Sequence, residues 1–232
     1  MRGLWERFLD LLYPPKCVFC RKPVTDSRML CPRCEKKWKR RDGVTVQKEI
    51  PHLALCFSPL YYTGAVQKSL QRYKFHGAAA YYRIYAELMA ECLQGQKDGW
   101  DRVTWVPLSR QRERTRGYDQ AKLLAAEVAR LLGLPCEKLL IKTKNNRSQS
   151  GTKSARERVE NVKGVYRCTG VTAGEKILLI DDIVTTGATL ASAAGELKAA
   201  GAGPITGLTV AATPLGGQTS SNWNGDSGNA DF

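Results

Sequence analysis

The stretch KILLIDDIVTTGATL, from Lys176 to Leu190, decides the fold. It opens with a short apolar run that is typical of a strand buried on both faces, and Asp181 and Asp182 end that run. A turn of threonines around one glycine follows, and then a helical pattern begins. Such a strand, polar turn and helix are the repeating unit of an open α/β sheet, which binds ligands beyond the carboxyl ends of its strands.

The turn in this stretch has the composition of a phosphate site. Backbone amides at the start of a helix attract a phosphate, and a glycine lets the backbone approach it closely. The two carboxylates would repel phosphate, but they can accept hydrogen bonds from the vicinal hydroxyls of a sugar. The segment therefore predicts a sugar 5-phosphate as ligand; an ordinary strand–turn–helix with acidic caps is the alternative. The predicted phosphate residues are Thr185, Thr186, Gly187, Ala188 and Thr189.

Strand and helix patterns alternate on both sides of this unit. Strands are predicted at 53–62, 103–106, 139–142, 176–180 and 205–211, and helices at 64–75, 79–93, 119–132 and 189–200. Asp119 is the predicted N-cap of the helix at 119–132. The alternation predicts an α/β domain with a mainly parallel sheet over residues 51–213. Residues 1–50 form a separate module that begins with an amphipathic helix around residues 4–12. The Gly-, Ser- and Asn-rich residues 214–232 are predicted to be a disordered tail.

Four of the eight cysteines are patterned, as two Cys-x-x-Cys pairs ten residues apart: Cys17, Cys20, Cys31 and Cys34. Each pair can form a tight turn that aims two sulfurs at one point, and four thiolates suit tetrahedral Zn²⁺. Four protein ligands leave no open position, so the predicted zinc is structural. A redox or disulfide role is the alternative.

Charge and composition narrow the classes of partner. The 232 residues are 43% hydrophobic, which excludes a mostly disordered chain, and 36 Lys+Arg against 22 Asp+Glu give a net charge of +14. A surface of this charge attracts nucleic acid or phosphorylated metabolites. No run reaches the roughly 18–20 apolar residues of a membrane helix, and no signal-peptide cleavage site follows the N-terminal stretch. The chain is predicted to be cytoplasmic, without a membrane span.

The segment from Lys176 to Leu190 resembles the phosphoribosyl-pyrophosphate (PRPP) motif of type I phosphoribosyltransferases. The chain as a whole resembles the ComF family, which joins an N-terminal zinc finger to a phosphoribosyltransferase-like domain. Three further blocks carry this resemblance: residues 62–77, residues 106–121 and residues 147–162. The chain also departs from the family, because many members have further cysteine pairs before the first strand, where this chain has only Cys56.

The resemblance implies roles for individual residues. Asp181 and Asp182 would be the catalytic carboxylates that hold the ribose hydroxyls, with Mg²⁺ bound alongside PRPP. The segment of Leu108, Ser109 and Arg110 would bind pyrophosphate. Residues 145–158 would form a mobile loop that closes over the ligand.

The resemblance also implies a role in natural transformation, with single-stranded DNA as a partner and a competence helicase as a further candidate. Single-strand binders combine cations for the backbone with aromatic faces for the bases. The candidate DNA residues are Arg112, Arg114 and Arg116, spaced by two in a predicted loop, together with Lys74. A solvated charged surface is the alternative interpretation of these residues. An active phosphoribosyltransferase with an unidentified acceptor base or amine is the alternative function.

Overall fold

A five-stranded parallel sheet organises the molecule in a computed structural model that describes residues 15–24, 29–39, 49–96, 99–143 and 164–214. The elements in chain order are α1 (Pro32–Lys39), β1 (Leu55–Phe57), β2 (Leu60–Tyr61), α2 (Gly64–Phe75), α3 (Tyr82–Glu91), β3 (Arg102–Trp105), α4 (Arg110–Arg116), α5 (Gln120–Leu132), β4 (Leu140–Lys142), β5 (Tyr166–Cys168), β6 (Ile177–Val184), α6 (Ala188–Ala199) and β7 (Ile205–Ala212). The predicted N-terminal helix, the predicted mobile loop and the tail beyond residue 214 lie outside these ranges.

The strand order is β1–β7–β6–β3, and β2 also pairs with β7. Every one of these pairs is parallel, which confirms the predicted mainly parallel α/β sheet. Strand β6 lies between β3 and β7 and is therefore hydrogen-bonded on both edges. Strands β4 and β5 form a separate antiparallel pair. The central position of β6 holds its two aspartates in a rigid frame.

Three predicted elements differ from the observed ones. The predicted strand 53–62 is two strands, β1 and β2, because Pro59 between them has no N–H for the ladder. Strand β6 extends beyond residue 180 to Val184, since its last residues continue to pair with β7 up to Ala212. The predicted arginine loop is helix α4, which Ser109 caps at its start and Gly117, with φ +79°, ends in the left-handed conformation.

Two hydrophobic layers cover the two faces of the sheet. Helices α2, α3 and α5 pack on one face, against Leu178 and Ile180 of β6. Helix α6 and the β4–β5 pair cover the other face, against Ile177 and Leu179. The alternation follows from the two-residue period of a strand. No helix in the described ranges is long and apolar enough to cross a membrane.

Candidate ligand site and metal centre

The turn after β6 places its hydroxyls at the surface around one buried glycine. Gly187 has φ +80° and is the N-cap of α6, and a Cβ at this position would lie 2.9 Å from Cγ1 of Ile50. A larger residue would therefore be strained and would also collide with its neighbour. Thr185, Thr186 and Thr189 are exposed, and the Ala188 amide donates to Thr186 Oγ1 at 3.4 Å. The turn thus presents hydroxyls to solvent at the start of a helix, as a phosphate site requires, whereas Ile50 fills the space beside Gly187.

The two aspartates of β6 lie on opposite sides of the strand and have different surroundings. Asp181 Oδ1 accepts a hydrogen bond from the Asp182 backbone N–H at 2.8 Å. Burial, and then the charge of Asp182, raise the pKa of Asp181 from its ordinary 3.8 to about 8. The surroundings of Asp181 therefore disfavour its charged form, and a ligand that ionises it must compensate for its burial.

Asp182 is paired with a lysine from helix α2. Lys74 Nζ lies 2.8 Å from Asp182 Oδ1, and both side chains are largely buried, at 20% and 13% exposed. The charge of Lys74 also lowers the pKa of Asp181, which partly offsets the effect of burial. Lys74, which the sequence suggested as a DNA-binding residue, thus lies beside the aspartates at the end of β6.

The segment predicted to bind pyrophosphate is held by a buried carboxylate. Asp119 accepts hydrogen bonds from the backbone N–H of Leu108 at 3.1 Å and of Lys122 at 3.2 Å. It therefore caps α5, as predicted, and also fixes the loop that leads into α4. Ser109 Oγ accepts from the Arg112 backbone N–H at 3.4 Å, so this predicted ligand residue caps α4.

A cavity of about 340 Å³ lies between this segment and β4. Its lining residues are Pro107, Leu108, Arg110, Glu113, Lys138, Ile141, Lys142 and Thr143. Burial lowers the pKa of Lys142, whose Nζ lies 5.3 Å from the ring centroid of Tyr166. Lys142 and Lys138 belong to none of the motifs that predicted the site. The available signal was that Lys142 ends a predicted strand, where ligand residues of α/β sheets cluster.

The arginines of α4 do not form one exposed row. Residues four apart share a helix face, so Arg112 and Arg116 lie together, opposite Arg110 and Arg114. Arg112 and Arg116 are half-buried, whereas Arg110 and Arg114 are exposed. The predicted fan of three arginines along a DNA backbone therefore needs correction: a helix separates Arg114 from the other two.

The four patterned cysteines converge on one point. The Sγ atoms of Cys17, Cys20, Cys31 and Cys34 all lie within 4.8 Å of one another, and those of Cys20 and Cys31 are 3.6 Å apart. Tetrahedral zinc with Zn–S bonds of about 2.3 Å needs sulfurs about 3.8 Å apart, so the cluster fits the ion. Burial alone would raise the pKa of Cys17, but hydrogen bonds from backbone amides, foremost that of Cys31, lower it to about 7. Backbone amides therefore favour the thiolate of Cys17, whereas burial raises the pKa of Cys20 and of Cys34.

This zinc knuckle (residues 15–24 and 29–34) is part of the main hydrophobic core. Cys17, Val18 and Phe19 are buried in the same cluster as α2 and α3. The Val18 carbonyl accepts hydrogen bonds from Ser69 Oγ at 2.6 Å and from Arg72 at 2.8 Å. The knuckle is thus attached to the same helix that carries Lys74.

Two family models match the chain: the double zinc ribbon domain over residues 8–44 and the phosphoribosyl transferase domain over residues 119–222. The DNA utilization protein YhgH of Escherichia coli K12 is 31% identical over 196 residues, covering 82% of this chain and 80% of that protein. Competence protein ComFC of Streptococcus pneumoniae is 32% identical over 186 residues, with coverages of 80% and 76%. The chain belongs to the ComF family.

Competence protein F of Haemophilus influenzae, a further family member, is 27% identical over 75% of this chain and 87% of that protein. A solved adenine phosphoribosyltransferase from Thermoanaerobacter pseudethanolicus is 18% identical, covers 56% of this chain and 68% of its own, and has a TM-score of 0.36. That similarity is too low to support a conclusion about function. The matched zinc region has only four cysteines, so this ComF protein supplies one set of four ligands for structural zinc.

Proposed function

We propose that this ComF protein binds PRPP or a related phosphosugar at the end of β6 and binds single-stranded DNA during DNA uptake in the cytoplasm. The observation that carries the phosphosugar assignment is the juxtaposition in one turn of two kinds of group. Asp181 and Asp182 supply acceptors for sugar hydroxyls, and the exposed threonines of the turn supply hydroxyl donors for a phosphate at the start of α6.

Mg²⁺ would accompany the ligand. Carboxylate oxygens are the ligands that this ion prefers, and Asp181 and Asp182 are the residues that would hold it, largely through water and ligand oxygens. The ion would neutralise phosphate charge. The chain's own contribution is to place Asp182 against Lys74 at 2.8 Å, beside Asp181, whose pKa burial raises.

The DNA part of the proposal is supported by charge and by the relatives. The net charge of +14 favours a phosphate backbone, and relatives are named a DNA utilization protein and competence proteins. Arg110 and Arg114 form the exposed face of α4 and can contact DNA phosphates without a change in the fold. A competence helicase remains the candidate protein partner.

A working phosphoribosyltransferase is the second candidate, favoured by the cationic cavity. Arg110, Lys138 and Lys142 line a space of about 340 Å³ beside the phosphosugar site, where they could stabilise a departing pyrophosphate. Turnover also requires a bound nucleophile. The described residues include none that we assign to this role.

The two candidates are separated by an assay of pyrophosphate release. The protein is incubated with PRPP, Mg²⁺ and a panel of bases and amines, and single-stranded DNA binding is measured on the same sample. The proposal expects PRPP binding, DNA binding and no release. Release with any acceptor would establish the transferase. Failure to bind either PRPP or DNA would overturn the proposal.

A further inference from the structure

Phe75 is an exposed aromatic ring that packing does not explain. It is 62% exposed, more than the other two exposed large apolar residues in the described ranges, Leu55 at 46% and Leu131 at 38%. It ends α2, directly after Lys74. An exposed aromatic ring offers a flat apolar face on which a planar ligand can stack.

The ring is paired with a fixed cation. The Arg116 guanidinium lies 4.8 Å from the centroid of the Phe75 ring, within the range of a cation–π contact. Arg116 also donates from its NH1 to Gln120 Oε1 at 2.9 Å, and Gln120 is fully buried. The guanidinium is thereby held on the ring, and the rest of the ring remains open to solvent.

The two helices that supply this pair are joined beneath it. The Tyr118 hydroxyl donates to the backbone carbonyl of Tyr73, and the Tyr73 hydroxyl donates to the carbonyl of Gln120 at 2.9 Å. These bonds fix the end of α2 against the start of α5. The ring and the cation are therefore preorganised, which reduces the entropy lost on binding.

The pair lies at the mouth of the phosphosugar site. Lys74, the neighbour of Phe75, contacts Asp182 at 2.8 Å. Arg116 is close enough to Asp182 for the carboxylate to influence its pKa, opposing the lowering caused by burial. A ligand whose sugar reaches Asp182 would therefore have its next group beside Phe75.

We propose that Phe75 and Arg116 form a stacking platform for an unpaired nucleobase beside the phosphosugar site. Bases stack on aromatic rings and on guanidinium planes, and the cations around the platform suit the attached phosphates. A base inside a duplex has both faces covered, so the platform selects single strands or free nucleotides. This inference rests on the proposed function, because it locates the nucleotide next to the phosphosugar.

The test measures the binding of a dT12 strand and of the same strand with abasic residues. Phe75→Ala and Phe75→Leu should each weaken dT12 binding by about 5- to 100-fold, as expected for loss of one stacked base. Phe75→Trp should retain its affinity for dT12. The fluorescence that the new tryptophan adds to that of wild type should be quenched when dT12 binds. Leu131→Ala, a matched exposed apolar residue on α5, should bind as wild type does.

Three readouts separate this inference from the wider proposal. Phe75→Ala should leave the affinity for PRPP and the salt dependence of DNA binding unchanged, because neither depends on a base. Thymidine monophosphate that quenches Phe75→Trp shows that a free nucleotide also reaches the platform. Equal binding of dT12 by wild type, Phe75→Ala and Phe75→Leu would overturn the platform even if PRPP binds. Should wild type fail to bind DNA, quenching by the monophosphate alone would support the platform, and its absence would overturn it.

Discussion

The zinc knuckle and the phosphosugar site are built in opposite ways. The knuckle takes all its ligands from 18 consecutive residues, Cys17 to Cys34, and their Sγ atoms lie within 4.8 Å of one another. The phosphosugar site combines a strand, a turn and Lys74, which is 108 positions before Asp182 in the chain. The four ligands of the knuckle leave no open position for a fifth, whereas the proposed phosphosugar site has exposed threonines and a carboxyl whose pKa burial raises.

The difference shows how each site depends on the fold. Local spacing and backbone amides preorganise the knuckle, so its ligand set is readable from the sequence. The phosphosugar site depends on the sheet order, because only the packing of α2 on the sheet brings Lys74 to Asp182. The two regions are also connected, since Arg72 of α2 donates to Val18 of the knuckle. Loss of the knuckle should therefore reach the helix that completes the phosphosugar site.

The largest expected effect is on the knuckle. Cys31→Ser should lose zinc and lower the free energy of unfolding by about 5 kcal/mol or more, because metal binding is coupled to folding and the knuckle shares the main core. Metal analysis and urea unfolding measure both quantities. Cys136→Ser, outside the cluster, should keep one zinc per chain. Zinc in Cys31→Ser at the wild-type level would contradict the assignment.

Gly187→Ala should have the next largest effect. The φ of +80° costs a non-glycine residue about 1–2 kcal/mol, and the added Cβ also meets Ile50 at 2.9 Å. Gly133→Ala is the matched control, since it has φ +68° but no neighbour within 4 Å. Both variants should lose stability in urea unfolding, Gly187→Ala more, and only Gly187→Ala should weaken PRPP binding in calorimetry. Equal effects of the two would show that the turn is not a ligand site.

Asp181→Asn should stabilise the ligand-free protein as pH rises. The pKa of Asp181 is about 8 in the fold against an ordinary 3.8, so the wild-type fold binds a proton that the unfolded chain has lost, and its stability falls from about pH 4 to pH 8. Asparagine removes this loss. The difference in the free energy of unfolding between variant and wild type should widen by about 1–2 kcal/mol from pH 6 to pH 9. This range allows for screening by solvent and for the charge of Lys74.

Urea unfolding at a series of pH values measures this difference. Glu113→Gln, an exposed carboxyl on α4, is the control and should show a constant difference across the same range. A difference for Asp181→Asn that narrows with pH would mean that the carboxyl is ionised in the ligand-free fold.

The smallest expected effect separates the two faces of α4. Arg114→Ala should reduce the log–log salt slope of single-stranded DNA binding by about 0.7, the value for one phosphate, and should leave PRPP affinity unchanged. Arg112→Ala, on the half-buried face, should change the slope less. Arg130→Ala, paired with Glu127 at 2.7 Å on α5, is the control for a general loss of charge. Equal slope changes for Arg112→Ala and Arg114→Ala would show that both arginines contact the DNA backbone alike, as the sequence predicted.

The sequence predicted the parts of the fold that depend on local pattern. The parallel sheet, the cap at Asp119 and the four-cysteine cluster all follow from short-range periodicity and spacing. The end of β6 was placed too early because Asp181 and Asp182 are polar. The pairing of this end of β6 with β7 joins residues 28 positions apart, such as Asp181 and Thr209, which no local signal reports.

The surroundings of the basic residues could not be predicted for a related reason. Helix α4 has no apolar period, and its caps, Ser109 and Gly117, are also common in loops. The contact of Lys74 with Asp182 is between distant segments, so a lysine in a basic, aromatic stretch resembled a DNA contact. Residue identity was sufficient to list the cations of the site. Only the packing of the helices on the sheet shows which cation contacts a carboxylate, which lines the cavity and which faces solvent.

The most direct test of the account is the affinity for PRPP, with Mg²⁺ present, of the double variant Asp181→Asn with Asp182→Asn. Each lost charge-assisted hydrogen bond should cost about 1.5–3 kcal/mol, so calorimetry should show an affinity at least about 100-fold below that of wild type, with zinc content retained. Wild-type affinity in the double variant would contradict the phosphosugar site at the end of β6.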